Sequence, residues 1–186
     1  MSFQLKVAEL PLEEKIMSKS ADEISQKEAN KEFKELLTFF LAGEEYGVDI
    51  LRVQEIKGWD SVTNIPNTPE YIRGVINIRG SIVPIIDMRL RFNLEKKEYD
   101  ATTVVIVLNV VNEGKEDRTM GVVVDAVSDV YNVPIDDVKA SPDFGTAVDT
   151  EFVTGLATIE KKMIIVLDID HMLNAAELAV IDQIAE

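Results

Sequence analysis

The sequence predicts an all-β protein with a C-terminal helix, organised as two similar small barrels. Three observations support this prediction. Runs rich in Val and Ile, which favour strands, recur along the chain between turns that contain Gly, Asn and Asp. The strand segments occur in two copies. Residues 171–186 place apolar side chains at the three-to-four-residue spacing that is typical of a helix.

The first half opens with a charged segment and a predicted hairpin. Residues 1–32 are charged and weakly apolar, which is typical of a flexible tail. Residues 36–42 predict a strand, and residues 48–59 alternate in a way that predicts a second strand. Residues 61–74 contain two prolines and two asparagines, so we expect mainly loop.

Residues 75–87, VINIRGSIVPIID, predict the next hairpin. The tripeptide Arg79-Gly80-Ser81 separates two β-branched runs. Gly80 suits the turn because glycine adopts positive φ at little cost. Pro84 has no N–H to donate to a neighbouring strand, so we expect its strand to be at a sheet edge or bulged there.

The second half repeats this order of elements. Residues 101–111 predict a long strand, and residues 119–133 predict a strand pair or one long bent strand. Residues 134–151 are predicted to be mainly loop. Residues 152–170 predict a further hairpin.

The correspondence between the two halves extends to individual residues. Residues 46–56 align without a gap on residues 120–130, and residues 71–92 align on residues 152–173. In both copies a glycine precedes an aspartate by thirteen residues. The hairpin tips differ, so the shared positions are interpreted as structural and the tips as free to serve function.

Five short strands per half is the strand count of a small closed barrel, in which closure removes exposed edges. We therefore predict a flexible tail at 1–32, a first barrel half at 33–98 and a second barrel half at 99–173. Residues 174–186 are the predicted C-terminal helix. The periodicity leaves open whether strands are exchanged between the barrels.

The composition disfavours several classes of function. The chain has 34 acidic and 19 basic side chains and a net charge of −15, which disfavours binding to nucleic acid and to anionic lipid. It has no cysteine, which excludes disulfides and a thiol nucleophile. No signal peptide and no run of roughly 20 apolar residues is evident. These features predict a cytoplasmic protein without direct membrane insertion.

No catalytic or cofactor-binding pattern is present. The single histidine, His171, is expected at the surface or at the boundary of the core. The nucleophile-elbow and phosphate-loop patterns are missing. Three aspartate pairs lack the order of a calcium loop, and we expect most of them to favour turns and caps: 125/129, 136/137 and 168/170. We therefore expect no metal, no cofactor and no enzyme activity, and a protein that works by binding.

The sequence resembles the CheW-type coupling proteins of bacterial chemotaxis over five segments: EEYGVDILRVQEI, IPNTPEYIRGVINIRGSIVPIIDMRLRF, TVVIVL, GVVVDAVSDV and FVTGLATIEKKMIIVLDIDHML. The resemblance runs from about residue 33 to residue 184. It implies two SH3-like five-stranded barrels that form one CheW-like domain. It also implies a non-catalytic scaffold that couples the cytoplasmic tips of chemoreceptors to the C-terminal regulatory domain of the histidine kinase CheA, at membrane-bound receptor arrays.

The resemblance further implies which residues contact receptor or kinase. They are Val53, Glu55, Gly74, Arg79, Gly80, Val104, Val105, Gly121 and Val130. We expect Glu55 and Arg79 to form an ion pair across neighbouring strands near the surface, which would hold the arginine for a partner. For Gly74, Gly80 and Gly121, the alternative to a binding role is that they are needed only for the shape of the backbone. Val104 and Val105 point to opposite faces of one strand, so at least one of them is expected in the core.

Two other functions stay open on the sequence. The chain could be an adaptor of a different receptor–kinase pathway, or a barrel that binds a small ligand in a deep polar pocket. For the adaptor, we expect the receptor tip, a helical hairpin, in a groove between the barrels. The kinase is expected to contact the ends of the barrels, so that a barrel of this chain pairs with a similar barrel of the kinase.

Overall fold

The computed structural model describes residues 31–111, 116–141 and 151–174. Strands dominate this part of the chain, and none of its helices has the length and apolar character needed to cross a membrane. The predicted tail, apart from its last two residues, lies outside the described residues. The same holds for the predicted C-terminal helix beyond Asn174.

Strands and short helices alternate along the described residues as follows. The strands are β1 Phe33–Leu41, β2 Glu44–Asp49, β3 Val53–Gly58, β4 Ile72–Ile78, β5 Ser81–Asp87, β6 Val104–Val110, β7 Arg118–Val124, β8 Ala126–Pro134, β9 Val138–Lys139, β10 Val153–Ile159 and β11 Lys162–Leu167. The helices are α1 Met88–Arg91 and α2 Ile169–Asn174, and 3₁₀ turns span Ile50–Arg52 and Ile135–Asp137.

The strands form two sheets. One has the order β3-β6-β7-β5-β4 and is called barrel I; the other has the order β8-β1-β2-β11-β10-β9 and is called barrel II. The predicted fold class is confirmed: the chain is mainly β, with two SH3-like barrels and a short C-terminal helix. The sixth strand of barrel II is the two-residue β9, which lies in a segment predicted to be loop.

The grouping of strands differs from the division at 33–98 and 99–173. Barrel I contains β3 to β7, which is the continuous stretch 53–124, whereas barrel II combines β1 and β2 with β8 to β11. The barrels are therefore displaced by two strands from the sequence repeat, and each repeat supplies strands to both barrels. Strand order is nevertheless the same in the two barrels, because β1, β2, β3, β4 and β5 occupy the places of β6, β7, β8, β10 and β11.

The chain passes from barrel II to barrel I within a segment that the sequence predicted to be one continuous strand. Residues 48–59 are two strands and not one, because Asp49 accepts the N–H of Leu51 at 3.0 Å and starts a 3₁₀ turn between β2 and β3. Helix α1 was not predicted; Asp87 caps it by accepting the N–H of Leu90 at 3.2 Å.

The expectation that Pro84 lies on an edge strand or at a bulge is wrong. Strand β5 lies between β4 and β7, and Pro84 pairs with Val75 in regular register. Val75 exchanges both of its main-chain hydrogen bonds with Thr63, at 2.9 Å each, so its polar groups point away from β5. Pro84 therefore needs no N–H to bond to β4. On its other side, pairing of β5 with β7 begins only at Ile85.

The central strands are apolar on both faces because both faces are buried. In β6, Val105 and Val107 face a cluster inside barrel I, while Ile106 and Leu108 face a larger cluster shared by the two sheets. Strand β1 is buried in the same way. This double burial explains the continuous β-branched runs seen in the sequence.

Two ion pairs stabilise the segments where the chain crosses between the barrels. The acidic and basic partners exchange places from one ion pair to the other. In the first, Arg89 of α1 donates two hydrogen bonds of 2.6 Å to Asp125, which lies between β7 and β8. Asp125 also accepts the N–H of Ala42, just after β1, at 2.9 Å. Burial raises the pKa of Asp125, but these hydrogen bonds outweigh that effect and leave its pKa below the usual value.

The second ion pair occupies the corresponding place in the other repeat. Arg52, between β2 and β3, donates to Asp170 of α2 at 2.7 Å. Asp170 accepts the N–H of Val111, just after β6, at 2.8 Å. In this second ion pair the helix carries the acid and the crossing carries the arginine, whereas in the first the helix carries the arginine. The arrangement is similar and the charges are exchanged.

Candidate functional site

The β4–β5 turn presents Arg79 at the surface. Ile78 pairs with Ser81, which leaves Arg79 and Gly80 as a two-residue turn. Their φ angles are 51° and 92°, as a type I′ turn requires. Asn77 accepts the N–H of Gly80 through its side-chain oxygen at 2.9 Å and so stabilises the turn. Gly80 is needed for its backbone conformation, because a side chain at this position would meet nothing within 4 Å.

The predicted contact between Glu55 and Arg79 is present. An Nη atom of Arg79 lies 2.9 Å from a carboxylate oxygen of Glu55, and the arginine side chain is 85% exposed. The two residues do not lie on neighbouring strands as expected, because β3 pairs with β6 while β4 pairs with β5. The ion pair instead spans the gap between β3 and β4, the two edges of the sheet in barrel I.

Gly74 and Gly121 occupy positions with no room for a side chain. Gly74 is buried at a register shift of β4, with φ at 134°, and a Cβ there would collide with the main-chain oxygen of Thr63. At Gly121 a Cβ would lie 2.5 Å from Ile85 and 2.9 Å from Val105. Both glycines therefore act through backbone shape and packing within barrel I.

The three valines of barrel I from the predicted set are partly or fully buried. Val105 is 3% exposed inside barrel I. Val104 and Val53 are half-buried against the shared cluster. The expectation that Val104 and Val105 cannot both be simple contact residues agrees with this placement, because the interior valine is inaccessible.

Val130 lies in barrel II, apart from the other predicted residues, and is 43% exposed. The repeat aligns it with Ile56 of barrel I, which is 44% exposed. A second pair of equivalent positions, Ile82 and Met163, is also exposed, at 53% and 59%. Each barrel thus presents two apolar side chains at matching positions. Sequence reasoning missed three of these four residues, although combining strand alternation with the repeat alignment would have identified them.

The β10–β11 turn is the counterpart of the Arg79 turn in barrel II. Glu160 and Lys161 occupy its centre with φ angles of 49° and 83°. The residue equivalent to Glu55 is Asp129, so two acids stand where barrel I has an ion pair. Lys162 instead lies 3.8 Å from the buried Glu45, and its pKa is raised by a hydrogen bond with Tyr131 and by that carboxylate.

Two SH3-like barrels with an exposed arginine turn and repeated apolar positions define a protein-binding module. The CheW-like domain family model matches residues 35–177, and the chain belongs to this family. Chemotaxis protein CheW of Klebsiella aerogenes is 47% identical over 152 residues, which cover 82% of this chain and 89% of that protein. Chemotaxis protein CheW of Rhizobium meliloti is 35% identical over 144 residues, which cover 77% of this chain and 90% of that protein.

A solved structure shows the same fold. The crystal structure of the scaffolding protein TtCheW from Thermoanaerobacter tengcongensis matches with a TM-score of 0.69 and 35% identity. The match covers 77% of this chain and 94% of that one. The fold and the family agree, so this chain is a CheW-type chemotaxis protein.

Proposed function

We propose that this chain is a non-catalytic scaffold that couples chemoreceptors to the histidine kinase CheA. Its family membership and its similarity to a scaffolding protein support an adaptor role in chemotaxis. The observation that carries the proposal is the Arg79 turn, in which an exposed guanidinium is held by Glu55. Arginine is well suited to partner contacts because it is planar, always charged and rich in donors.

The barrel I surface that includes Glu55, Ile56, Arg79 and Ile82 is the proposed docking surface for the kinase's C-terminal regulatory domain. It combines one ion pair with two exposed apolar side chains. The receptor tip, a helical hairpin, is assigned to a groove between the barrels, where an apolar helix face finds an apolar partner. Interfaces near the lower end of about 1,200–2,000 Å² suit an array built from many repeated contacts.

The proposal is tested by replacing the arginine. Arg79→His should lower the affinity for the kinase–receptor assembly at least tenfold, because imidazole lacks the permanent charge and the several planar donors of the guanidinium group. Stability should change by less than about 1 kcal/mol, since the ion pair is exposed. Binding is measured by titration with the kinase's C-terminal region and by kinase activity in a reconstituted receptor complex.

The matched control is Lys96→His. Lys96 also forms an exposed ion pair, with Glu70 at 3.2 Å, away from the β4–β5 turn. This control should couple as well as the unmodified protein. If Arg79→His also couples normally, the role given to the arginine turn is wrong. Binding to an unrelated kinase in place of CheA would favour the alternative receptor–kinase pathway.

A further inference from the structure

A cavity of about 210 Å³ lies along β3 and β4, the two edge strands of barrel I. The lining is mainly polar, with an apolar floor that includes Val105. The polar side chains are those of Lys57, Asp60, Ser61, Thr63 and Asn77.

On the β3 side, main-chain groups point toward the cavity. Trp59 donates its N–H to the oxygen of Thr103 at 3.0 Å, so it faces β6. Main-chain direction alternates along an antiparallel strand, so the neighbouring Gly58, which lines the cavity, faces the opposite edge. No strand of the described residues pairs with β3 on that edge.

The β4 side has the same property. Val75 directs its N–H and C=O to Thr63, on the edge away from β5. Asn77 lies two residues further on and therefore faces the same edge. The main-chain groups of Val75 are taken up by Thr63, so those of Gly58 and Asn77 are the ones that face the cavity, where a short peptide could hydrogen-bond to them.

Both ends of this space are tied. The ion pair between Arg79 and Glu55 spans one end, and the hydrogen bonds between Thr63 and Val75 span the other. A ligand that fits between these two crossings is short and has free ends. Lys57 and Asp60 offer one positive and one negative side chain for a carboxylate and an ammonium group.

Barrel II fills the corresponding space with its own side chains. Val138 of β9 pairs with Ala157 of β10. Tyr131, the residue equivalent to Lys57, packs with Val138 against the buried cluster of that barrel. The difference indicates that the polar cavity is a property of barrel I and not a consequence of the fold.

We propose that this cavity binds a small zwitterionic peptide of about dipeptide size. Its carboxylate pairs with Lys57 and its ammonium group with Asp60, and its amide bonds to the main chain of Gly58 and Asn77. The four residues of the proposed kinase-docking surface do not line this cavity, although the ion pair between Arg79 and Glu55 borders it, so barrel I would bind a small ligand in addition to docking a protein.

Glycylglycine is the probe for this site, and Trp59 is the reporter. Trp59 is the only tryptophan of the chain, lies between two cavity residues and packs 4.2 Å from the ring of Tyr99. Titration into the full chain should give a saturable change in fluorescence and in the amide chemical shifts of Gly58 and Asn77. N-acetylglycinamide, which has no charged end, should bind at least tenfold more weakly.

Two variants and one control complete the test. Asp60→Asn removes one charge, and Lys57→Tyr copies the filled barrel II; each should weaken glycylglycine binding at least tenfold while the melting temperature shows a folded protein. Lys139→Gln removes an exposed charge from barrel II and should bind like the unmodified chain. Absence of saturable binding by both readouts, or equal affinity in all three variants, would overturn the proposal.

Discussion

Barrels I and II share their strand order but differ in how the equivalent hairpin turns are charged. Both turns have two central residues with positive φ. Barrel I places Arg79 next to Glu55, whereas barrel II places Glu160 in a region where Asp129 is also acidic. The backbone geometry is therefore a property of the repeat, and the side-chain charges distinguish the two surfaces. Proteins that dock on one barrel are expected to discriminate against the other through these charges.

The glycines at the register shifts give the largest expected difference between the barrels. Gly74→Ala should lower the free energy of unfolding by about 3 kcal/mol, because a Cβ would meet main chain at a positive φ. Gly155→Ala should cost about 2 kcal/mol, since a Cβ would lie 2.5 Å from the oxygen of Lys139 without the φ strain. Urea denaturation measures both. An equal or smaller loss for Gly74→Ala would contradict this comparison.

The two reversed ion pairs provide the next test. Arg89→Ala should destabilise by about 3 kcal/mol, because it leaves a largely buried Asp125 without its two charged hydrogen bonds. Arg52→Ala should cost about 1 kcal/mol, since its single bond to Asp170 is more exposed. Thermal and urea unfolding measure these losses. Equal losses of stability in the two variants would show that burial does not distinguish the two ion pairs.

Acid should weaken the ion pair between Arg89 and Asp125. The folded-state pKa of Asp125 is depressed, so its contribution is fully present above the unfolded pKa of about 3.9 and disappears as pH falls through the folded value. The stability advantage of the unmodified chain over Asp125→Asn should therefore narrow as the pH is lowered from 6 to 2.5. A constant difference over that range would show that the carboxylate charge is not what holds Ala42 and Arg89.

Exchanging the second turn residue should have the smallest effect. Lys161 has a φ of 83°, which is unfavourable for a side chain, so Lys161→Gly should stabilise barrel II by about 1 kcal/mol. Gly80→Lys should destabilise barrel I by a similar amount. Calorimetry of the two single variants measures the pair. Changes of the same sign would show that something other than the φ preference controls these turns.

Sequence reasoning was most successful where the information is local. β-Branched runs identified the hairpin at Arg79-Gly80. The hypothesis that Glu55 and Arg79 form an ion pair was also confirmed, although not its placement on neighbouring strands. Sequence reasoning failed for Pro84 because the suitability of a proline depends on which neighbour each N–H faces. It also missed Ile82 and Met163 as exposed residues, since an apolar strand with two buried faces looks the same as one whose end is exposed.

The sequence alone determined the strand content, the duplicated order of elements and membership in the coupling-protein family, because these follow from side-chain preferences and from residue identity along the chain. The tertiary structure decided which strands belong to which barrel and where the two ion pairs at the crossings and the polar cavity lie. Strand partners are selected by burial and hydrogen bonding between distant segments, and no local pattern encodes that choice. For this reason the repeat boundary and the barrel boundary differ by two strands.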